Sequence, residues 1–240
     1  MLFRSVDHWV STSRHNAAEV AAHFHQPVSV LYSGVDTDQF RPGPRRAGWR
    51  AARGVPEGAL LIASLGRLVG LKGLRIVVEA LAGTEGDIHF LIIGEGPEEA
   101  ALRMQAREAG IAERVHFHGR AAHADLPALL CEIDLLVQPS IGVEAFGIAV
   151  VEAMACGVPV LASDLGGLRE TVVEGLTGRL LPQADVPAWR SALLAAENDR
   201  ATLSRWGSNG RLRVEGEFTW IRNAGGLVRL LDPASPGGRA

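Results

Sequence analysis

Two glutamates, Glu144 and Glu152, lie eight positions apart on either side of a predicted helix start. Carboxylates accept hydrogen bonds strongly from sugar hydroxyls, so such a pair suits a carbohydrate ligand. Between them, the amides of Phe146, Gly147 and Ile148 are expected to be unpaired and partly positive, which suits a phosphate or a polarised sugar oxygen. Gly147 has no side chain to block that approach. The pattern predicts a sugar-nucleotide site, and the alternative is a buried helix with a solvated glutamate at each end.

Two cations, Arg67 and Lys72, lie in the loop that follows an earlier predicted strand. Arginine binds phosphate oxygens through its planar fork, whereas lysine acts as a compact point charge. Together they would offset the negative charge that a departing nucleotide diphosphate develops. The alternative is a pair of solvated surface cations, which are common in loops.

The elements that must position these groups alternate between short apolar runs and longer amphipathic ones. They predict an α/β fold, a Rossmann-like parallel sheet with helices on both faces. Strands are predicted over 60–65, 88–93, 115–117, 135–137, 158–162 and 179–181, and helices over 73–81, 98–109, 126–131, 147–155, 168–173 and 186–198. Ligands of such sheets bind at the carboxyl ends of the strands. Glycines lie at those ends, at Gly66, Gly94, Gly96, Gly119, Gly147, Gly166 and Gly167.

The first 32 residues differ from the rest, because they predict only one strand-helix-strand unit, which cannot bury both of its faces. We expect residues 1–32 to be the remnant of an amino-terminal domain and residues 33–56 to be a turn-rich connector. The predicted Rossmann-like domain covers residues 57–216. A cross-over helix and tail are predicted over residues 217–240.

Two patterns that resemble metal sites are interpreted as structural. Asp36 and Asp38 form an Asp-x-Asp pair, but they lie in the connector, where a solvated turn or a cap of the next segment is expected. His116 and His118 alternate on a short strand and face the same side, without a third ligand at metal-like spacing. We therefore expect neither a metal nor a cofactor.

Composition excludes some classes of partner. Of 240 residues, 47% are hydrophobic, and 24 Lys and Arg stand against 27 Asp and Glu, so no bulk field attracts nucleic acid or an anionic membrane. The arginine-rich segment, residues 41–53, is interpreted as a solvated linker, with a phosphate or membrane contact as the alternative. The two cysteines, Cys131 and Cys156, are expected to be reduced core thiols.

No stretch of 18 or more apolar residues is present, and residues 1–5 lack the long apolar region of a secretion signal. We expect a cytoplasmic protein, and the arginine-rich segment is where it could lie against a membrane.

In their order and spacing over nearly the whole chain, these motifs resemble the carboxyl-terminal, nucleotide-sugar-binding domain of GT-B retaining glycosyltransferases, specifically glycosyltransferase family 4. The segments that carry the resemblance are 34–36, 66–68, 72–73, 94–97, 117–119, 139–140, 144–152, 157–160 and 166–170.

The resemblance implies roles for particular residues. Arg67 and Lys72 would hold the donor diphosphate, and Glu144 would contact the hydroxyls of the donor sugar; these three are the expected catalytic residues. The expected donor-binding residues are Gly66, Gly119, Arg120, Ala145, Phe146, Gly147, Ile148 and Glu152, with Glu152 on the ribose and the 119–120 region near the base. Ala145 stands where the family usually has glycine.

The function that the resemblance implies is the donor-binding part of a retaining transferase, which moves a hexose from a nucleotide diphosphate sugar to a sugar, lipid or small-molecule acceptor. Family members bind the donor without a dedicated metal. The missing amino-terminal domain, in a longer chain or a partner subunit, would bind the acceptor. The alternative is a non-catalytic nucleotide-sugar-binding module that recruits a partner through apolar surfaces of residues 1–32 and 218–231. An epimerase or a phosphorylase fits the glutamate pair less well.

Overall fold

A computed structural model describes residues 6–232. Residues 1–5 of the predicted remnant and residues 233–240 of the predicted tail lie outside this range. The strands are β1 (Trp9–Ser11), β2 (Val28–Val30), β3 (Leu60–Leu65), β4 (Ile88–Ile93), β5 (Val115–Gly119), β6 (Leu135–Gln138), β7 (Val160–Ser163) and β8 (Gly178–Leu181).

The α-helices are α1 (Arg14–Phe24), α2 (Leu74–Ala82), α3 (Glu99–Glu108), α4 (Leu126–Leu130), α5 (Ile148–Ala155), α6 (Leu168–Thr171), α7 (Val186–Asn198), α8 (Arg200–Glu217) and α9 (Trp220–Leu231). Short 3₁₀ turns cover Ala51–Arg53, Gly70–Lys72, Ala112–Arg114 and His123–Asp125.

The main sheet has the strand order β5-β4-β3-β6-β7-β8, and every neighbouring pair is parallel. Side chains of α2, α3 and α7 pack on one face, and side chains of α4 and α5 pack on the other. Strands covered on both faces are mostly apolar, which explains why Ser64 in β3 and His89 in β4 are the only polar side chains of these two strands. The predicted Rossmann-like α/β fold with helices on both faces is confirmed.

Strands β3 and β4 begin and end where the sequence predicts. Strand β7 begins at Val160 rather than at 158, for a local reason. The N–H of Val158 donates to the carbonyl oxygen of Ala153 at 2.9 Å and so closes the end of α5. Pro159 has no N–H to give to the sheet.

Helix α8 is absent from the sequence-based prediction. It contains Gly207, Gly210 and Gly216, and glycine disfavours helix interiors by about 1 kcal/mol relative to alanine. Packing explains two of them: a Cβ at Gly207 would overlap the carbonyl oxygen of Gly157, and one at Gly210 would lie 3.1 Å from the side chain of Met154. The glycines therefore let α8 approach α5 closely, and tertiary contact outweighs the local propensity.

The amino-terminal unit consists of β1, α1 and β2, and its two strands pair in parallel, apart from the main sheet. The start of α1 is attached to the main domain, because the amides of Arg14 and His15 each donate to the carboxylate of Glu170 at 2.9 Å. The hydroxyl of Tyr32 donates to the same carboxylate at 2.9 Å. A carboxylate at a helix amino terminus is favourable, so Glu170 anchors this unit.

Residues 33–56 contribute buried side chains, such as that of Phe40, to the core of the main domain. The interpretation of the arginine-rich segment as a solvated linker is wrong for Arg50, which is buried. Its Nε donates to the carbonyl oxygen of Glu132 at 3.0 Å, and its Nη2 lies 3.1 Å from Asp134 Oδ2. The sequence did not indicate this burial, because the oxygens that pair with the guanidinium belong to residues more than 80 positions away.

Helix α9 directs apolar side chains outward. Trp220, Ile221, Val228 and Leu231 are exposed, Ile221 to 86%. The opposite side of the helix faces the amino-terminal unit, through Asn223, whose amide donates to a backbone carbonyl just after β2 at 2.8 Å. No helix in the part of the chain that the structure describes is long and apolar enough to cross a membrane.

Candidate active site

Lys72 and Glu144 meet at the carboxyl ends of β3 and β6. Lys72 ends the 3₁₀ turn after β3, and Gly73 follows it with a φ of 65°, a left-handed conformation that favours glycine. A Cβ at Gly73 would overlap the carbonyl oxygen of Pro139, which follows β6. This close backbone approach brings Lys72 Nζ to 2.7 Å from Glu144 Oε2.

Two side chains to which the sequence analysis assigns no role hold Glu144 in place. Gln138 Nε2 and Ser140 Oγ donate to Glu144 Oε2 at 3.0 Å and 2.9 Å. Gln138 also donates to Ser140 at 3.0 Å, so the three side chains form one network with Lys72. Three donors on one oxygen fix the orientation of the carboxylate. The only feature of the sequence that could have indicated them is their position, since Gln138 ends a buried strand and Ser140 follows it.

Arg67 lines the same small hollow as Lys72, together with residues 64–66 and Leu74. Its side chain is exposed and makes no hydrogen bond or ion pair within the described residues, so its guanidinium is free to bind an anion. Gly66 precedes it with a φ of 144°, and its N–H donates to the carbonyl oxygen of Ile93 at 3.0 Å.

Helix α5 starts beside Glu144. Gly147 caps it with a φ of 86°, which a residue with a Cβ adopts only with strain. The amides of Phe146, Gly147 and Ile148 donate no hydrogen bond to any part of residues 6–232. The ring of Phe146 is buried and stacks 5.8 Å from that of Tyr32, so only its backbone is available to a ligand.

The glycine pair at the start of α6 supports this turn. The N–H of Gly167 donates to the carbonyl oxygen of Glu144 at 2.9 Å. Cβ atoms at Gly166 and Gly167 would collide with the backbone of Glu144 and Ala145. The amide of Gly167 therefore fixes the loop that carries Glu144.

Glu152 lies one turn into α5 and is only 6% exposed. His123, in the 3₁₀ turn after β5, places its Nε2 3.0 Å from Glu152 Oε1. Burial raises the pKa of Glu152, and the hydrogen bond and charge of His123 lower it. His123 was not predicted, because 29 residues separate it from Glu152.

The region expected near the base lies at the end of β5. Gly119 has a φ of 77°, and its carbonyl oxygen accepts the N–H of Gly94 at 2.8 Å. A Cβ at Gly94 would overlap the carbonyl oxygen of Gly66, so this glycine brings the ends of three strands together. Arg120 is exposed and lies 3.7 Å from Glu95.

The structure thus joins Lys72 to Glu144 and places Arg67 in the same hollow as Lys72. Glu152 is linked to Glu144 through the first turn of α5, but neither it nor Arg120 lines that hollow. The cations lie on the β3 side and the carboxylates on the β6 and α5 side of one edge of the sheet. This arrangement can hold an anionic group between the cations and the helix start, with hydroxyls on the carboxylates.

Of the groups predicted to be structural, Asp36 and His116 have ordinary partners, whereas the buried Nδ1 of His118 has no hydrogen-bond partner among the described residues. Asp36 Oδ1 accepts the N–H of Asp38 at 3.0 Å, which is the expected cap. His89 Nε2 lies 3.2 Å from Asp87, so its Nδ1 accepts from His116 Nε2 at 2.9 Å. Burial lowers the pKa of both histidines, that of His116 to about 4. No group of three or more His, Cys, Asp or Glu that could hold a metal occurs within residues 6–232.

Comparison with known proteins supplies the family context. The model of the family described as "Glycosyl transferases group 1" matches residues 46–213. D-inositol 3-phosphate glycosyltransferases of Mycobacterium tuberculosis and Mycobacterium bovis are 40% identical over 172 residues, which cover 69% of this chain and 35% of each relative. The chain therefore spans about a third of the length of these relatives.

Solved structures agree with the fold. Anabaena HepE in complex with UDP and glucose is 25% identical, with a TM-score of 0.85 over 94% of this chain and 63% of that chain. Sucrose-phosphate synthase from Thermosynechococcus elongatus is 31% identical, with a TM-score of 0.80 over 94% of this chain and 58% of that chain. The carboxyl-terminal domain of a group 1 family protein from Francisella tularensis is 26% identical, with a TM-score of 0.69 over 78% of this chain and all of that chain.

Proposed function

The chain belongs to the glycosyl transferases group 1 family, and from this we propose that it is the donor-binding part of a retaining glycosyltransferase. The reaction moves a hexose from a nucleotide diphosphate sugar to an acceptor hydroxyl. The chain spans about a third of the length of its curated relatives, and in this proposal the acceptor is bound by a longer chain or a partner subunit.

The observation that carries the proposal is the contact of Lys72 with Glu144 at 2.7 Å, beside free amides at the start of α5. A nucleotide diphosphate sugar has a dianionic diphosphate joined directly to a ring rich in hydroxyls. A cation and a carboxylate in contact fit that junction, with phosphate on the lysine side and sugar on the glutamate side.

Each group has a defined task in the proposed reaction. Arg67 and Lys72 neutralise the diphosphate as the bond to the sugar breaks, which stabilises the leaving group. Glu144, oriented by its partners, accepts hydrogen bonds from the hexose hydroxyls and fixes the anomeric carbon toward the acceptor. The free amides of Phe146, Gly147 and Ile148 bind oxygens that gain negative charge. Attack from the face that the diphosphate leaves, through an oxocarbenium-like state, retains the configuration.

The donors to test first follow from the solved neighbours. Anabaena HepE has been solved in complex with UDP and with UDP-glucose at 25% identity. We therefore propose a uridine diphosphate hexose as the donor, held with its ribose on Glu152 and its base near Gly119 and Arg120.

Isothermal titration calorimetry with UDP, GDP and ADP tests this function. UDP is expected to bind with a stoichiometry of one, and Arg67→Ala is expected to weaken it at least about tenfold through loss of a phosphate contact. Arg107→Ala is the matched control, because Arg107 is an exposed arginine on α3 without an ion pair among the described residues. Absence of binding to the folded protein, or equal effects of both variants, would contradict the proposal.

The exposed apolar side of α9 favours a second candidate, a nucleotide-sugar-binding module that recruits a partner and performs no transfer. Light scattering after size exclusion and product analysis with a labelled donor separate the two. Transfer of the hexose to any acceptor by the complete assembly would remove this alternative.

A further inference from the structure

The carboxylate of Glu152 uses only one of its two oxygens within the protein. Oε1 lies 3.0 Å from His123 Nε2. Oε2 has no hydrogen-bond partner among residues 6–232, and it is not one of the side-chain oxygens that are sealed from solvent. Although the side chain is largely buried, one acceptor is therefore left open at the carboxyl end of the sheet.

His123 is placed to fix the plane of that carboxylate. It begins the 3₁₀ turn that follows β5, and its ring packs on that of Phe40 with centroids 5.2 Å apart. The side chain is 65% exposed; within the described residues its hydrogen-bond partner is Glu152 and its ring partner is Phe40. A histidine so exposed contributes little to the core, so its removal is expected to leave the fold intact.

We propose that His123 is a positioning residue for the ribose, an inference that rests on the proposed function. Its Nε2–H donates to Glu152 Oε1 and thereby presents Oε2 to the ribose hydroxyls. The site then selects ribonucleotides over 2′-deoxyribonucleotides. A ligand that lacks the hydroxyl leaves the ordered carboxylate oxygen unpaired, which is the condition under which a hydrogen-bonding site discriminates strongly.

The charges around Glu152 agree with this role. His123 is the titratable side chain that lowers the pKa of Glu152 against the effect of burial, so without it the carboxyl holds its proton to a higher pH. Cys156, at the end of α5, has a thiol whose pKa is raised by its hydrogen bond with Cys131 and by burial, so the thiol stays neutral. Arg211 of α8 donates to the carbonyl oxygens of Phe40 and of the last residue of α5. A protonated Glu152 loses an acceptor for the ribose.

Affinities for UDP and 2′-deoxy-UDP, measured by calorimetry, test the proposal. The wild type is expected to prefer UDP by about tenfold or more. His123→Ala should weaken UDP but not 2′-deoxy-UDP, which reduces the preference to about threefold or less. His123→Gln retains an N–H donor and should restore most of the preference. His23→Ala, a change of an exposed histidine on α1, should change neither affinity.

The outcomes distinguish the two levels of the argument. If Glu152→Gln abolishes the preference and His123→Ala leaves it unchanged, the role of His123 is wrong while the donor site stands. Equal weakening of both ligands by His123→Ala would indicate a general structural effect and would also overturn it. If the wild type shows no preference, the ribose contact of Glu152 is itself wrong. As an independent readout, the loss of UDP binding toward acid pH should begin at a higher pH in His123→Ala than in the wild type.

Discussion

Replacing Lys72 by alanine tests the contact at the centre of the site. Lys72 Nζ lies 2.7 Å from Glu144 Oε2, with side-chain exposures of 31% and 13%. At that separation, unit charges attract by about 6 kcal/mol at an effective dielectric constant of about 20, and lost hydration offsets most of it. Because Gln138 and Ser140 still donate to Glu144, we expect the free energy of unfolding to fall by only about 1 to 2 kcal/mol.

The effect on the ligand should be larger than the effect on stability. A hydrogen bond to a charged group contributes about 1.5 to 3 kcal/mol, which corresponds to about 10- to 150-fold in affinity. Lys72 already has a partner in the free protein, so binding exchanges part of one interaction for another. We therefore expect the Kd of UDP to rise by about 10- to 30-fold in Lys72→Ala.

Urea unfolding and calorimetry measure the two effects, and Arg75→Ala is the control. Arg75 Nε lies 2.8 Å from Glu98, but the side-chain exposures are 52% and 27%, and Arg75 does not line the hollow that holds Arg67 and Lys72. It should lose less than about 0.5 kcal/mol and bind UDP as the wild type does. An unchanged Kd in folded Lys72→Ala would refute the assignment of Lys72 to the diphosphate.

The remaining predictions concern glycines and a histidine. Gly73→Ala should destabilise by at least about 2 kcal/mol and weaken UDP binding, because its Cβ would overlap the carbonyl of Pro139; urea unfolding and calorimetry check this. Gly207→Ala should destabilise by at least about 2 kcal/mol, whereas Gly216→Ala, with open space around it, should stabilise by about 0.5 to 1 kcal/mol in thermal unfolding. Burial lowers the pKa of His116 in the folded protein from 6.5 to about 4. The stability that depends on this ring being neutral is therefore complete above pH 6.5 and is lost toward pH 4. Stability should fall by about 1 to 2 kcal/mol over that interval, after allowance for solvent screening, and less in His116→Gln.

The sheet and its glycine-rich ends could be predicted from sequence because their signals are local. Strands β3 and β4 are apolar except at Ser64 and His89, since both faces are covered, and they are followed by Gly66 and Gly94. The positions of Lys72 and Glu144 followed from the rule that ligands bind at the carboxyl ends of parallel strands. Their direct contact depends on the close approach at Gly73, which the sequence showed only as a glycine.

What could not be predicted depends on contacts between distant residues. The roles of Gln138 and Ser140 depend on their hydrogen bonds to Glu144, which the sequence does not show. His123 gains its role from a residue on a different helix. Helix α8 was not predicted, because its glycines disfavour a helix locally, whereas Gly207 and Gly210 allow close packing against α5. Propensity is a weak guide where tertiary contacts decide.

A crystal structure with bound UDP tests the central claim most directly. The diphosphate is expected between Arg67 and Lys72, with phosphate oxygens about 3 Å from Lys72 Nζ, and the ribose on Glu152. UDP bound elsewhere on the protein, or bound with its phosphates away from both cations, would contradict the assignment of this edge of the sheet to the sugar nucleotide.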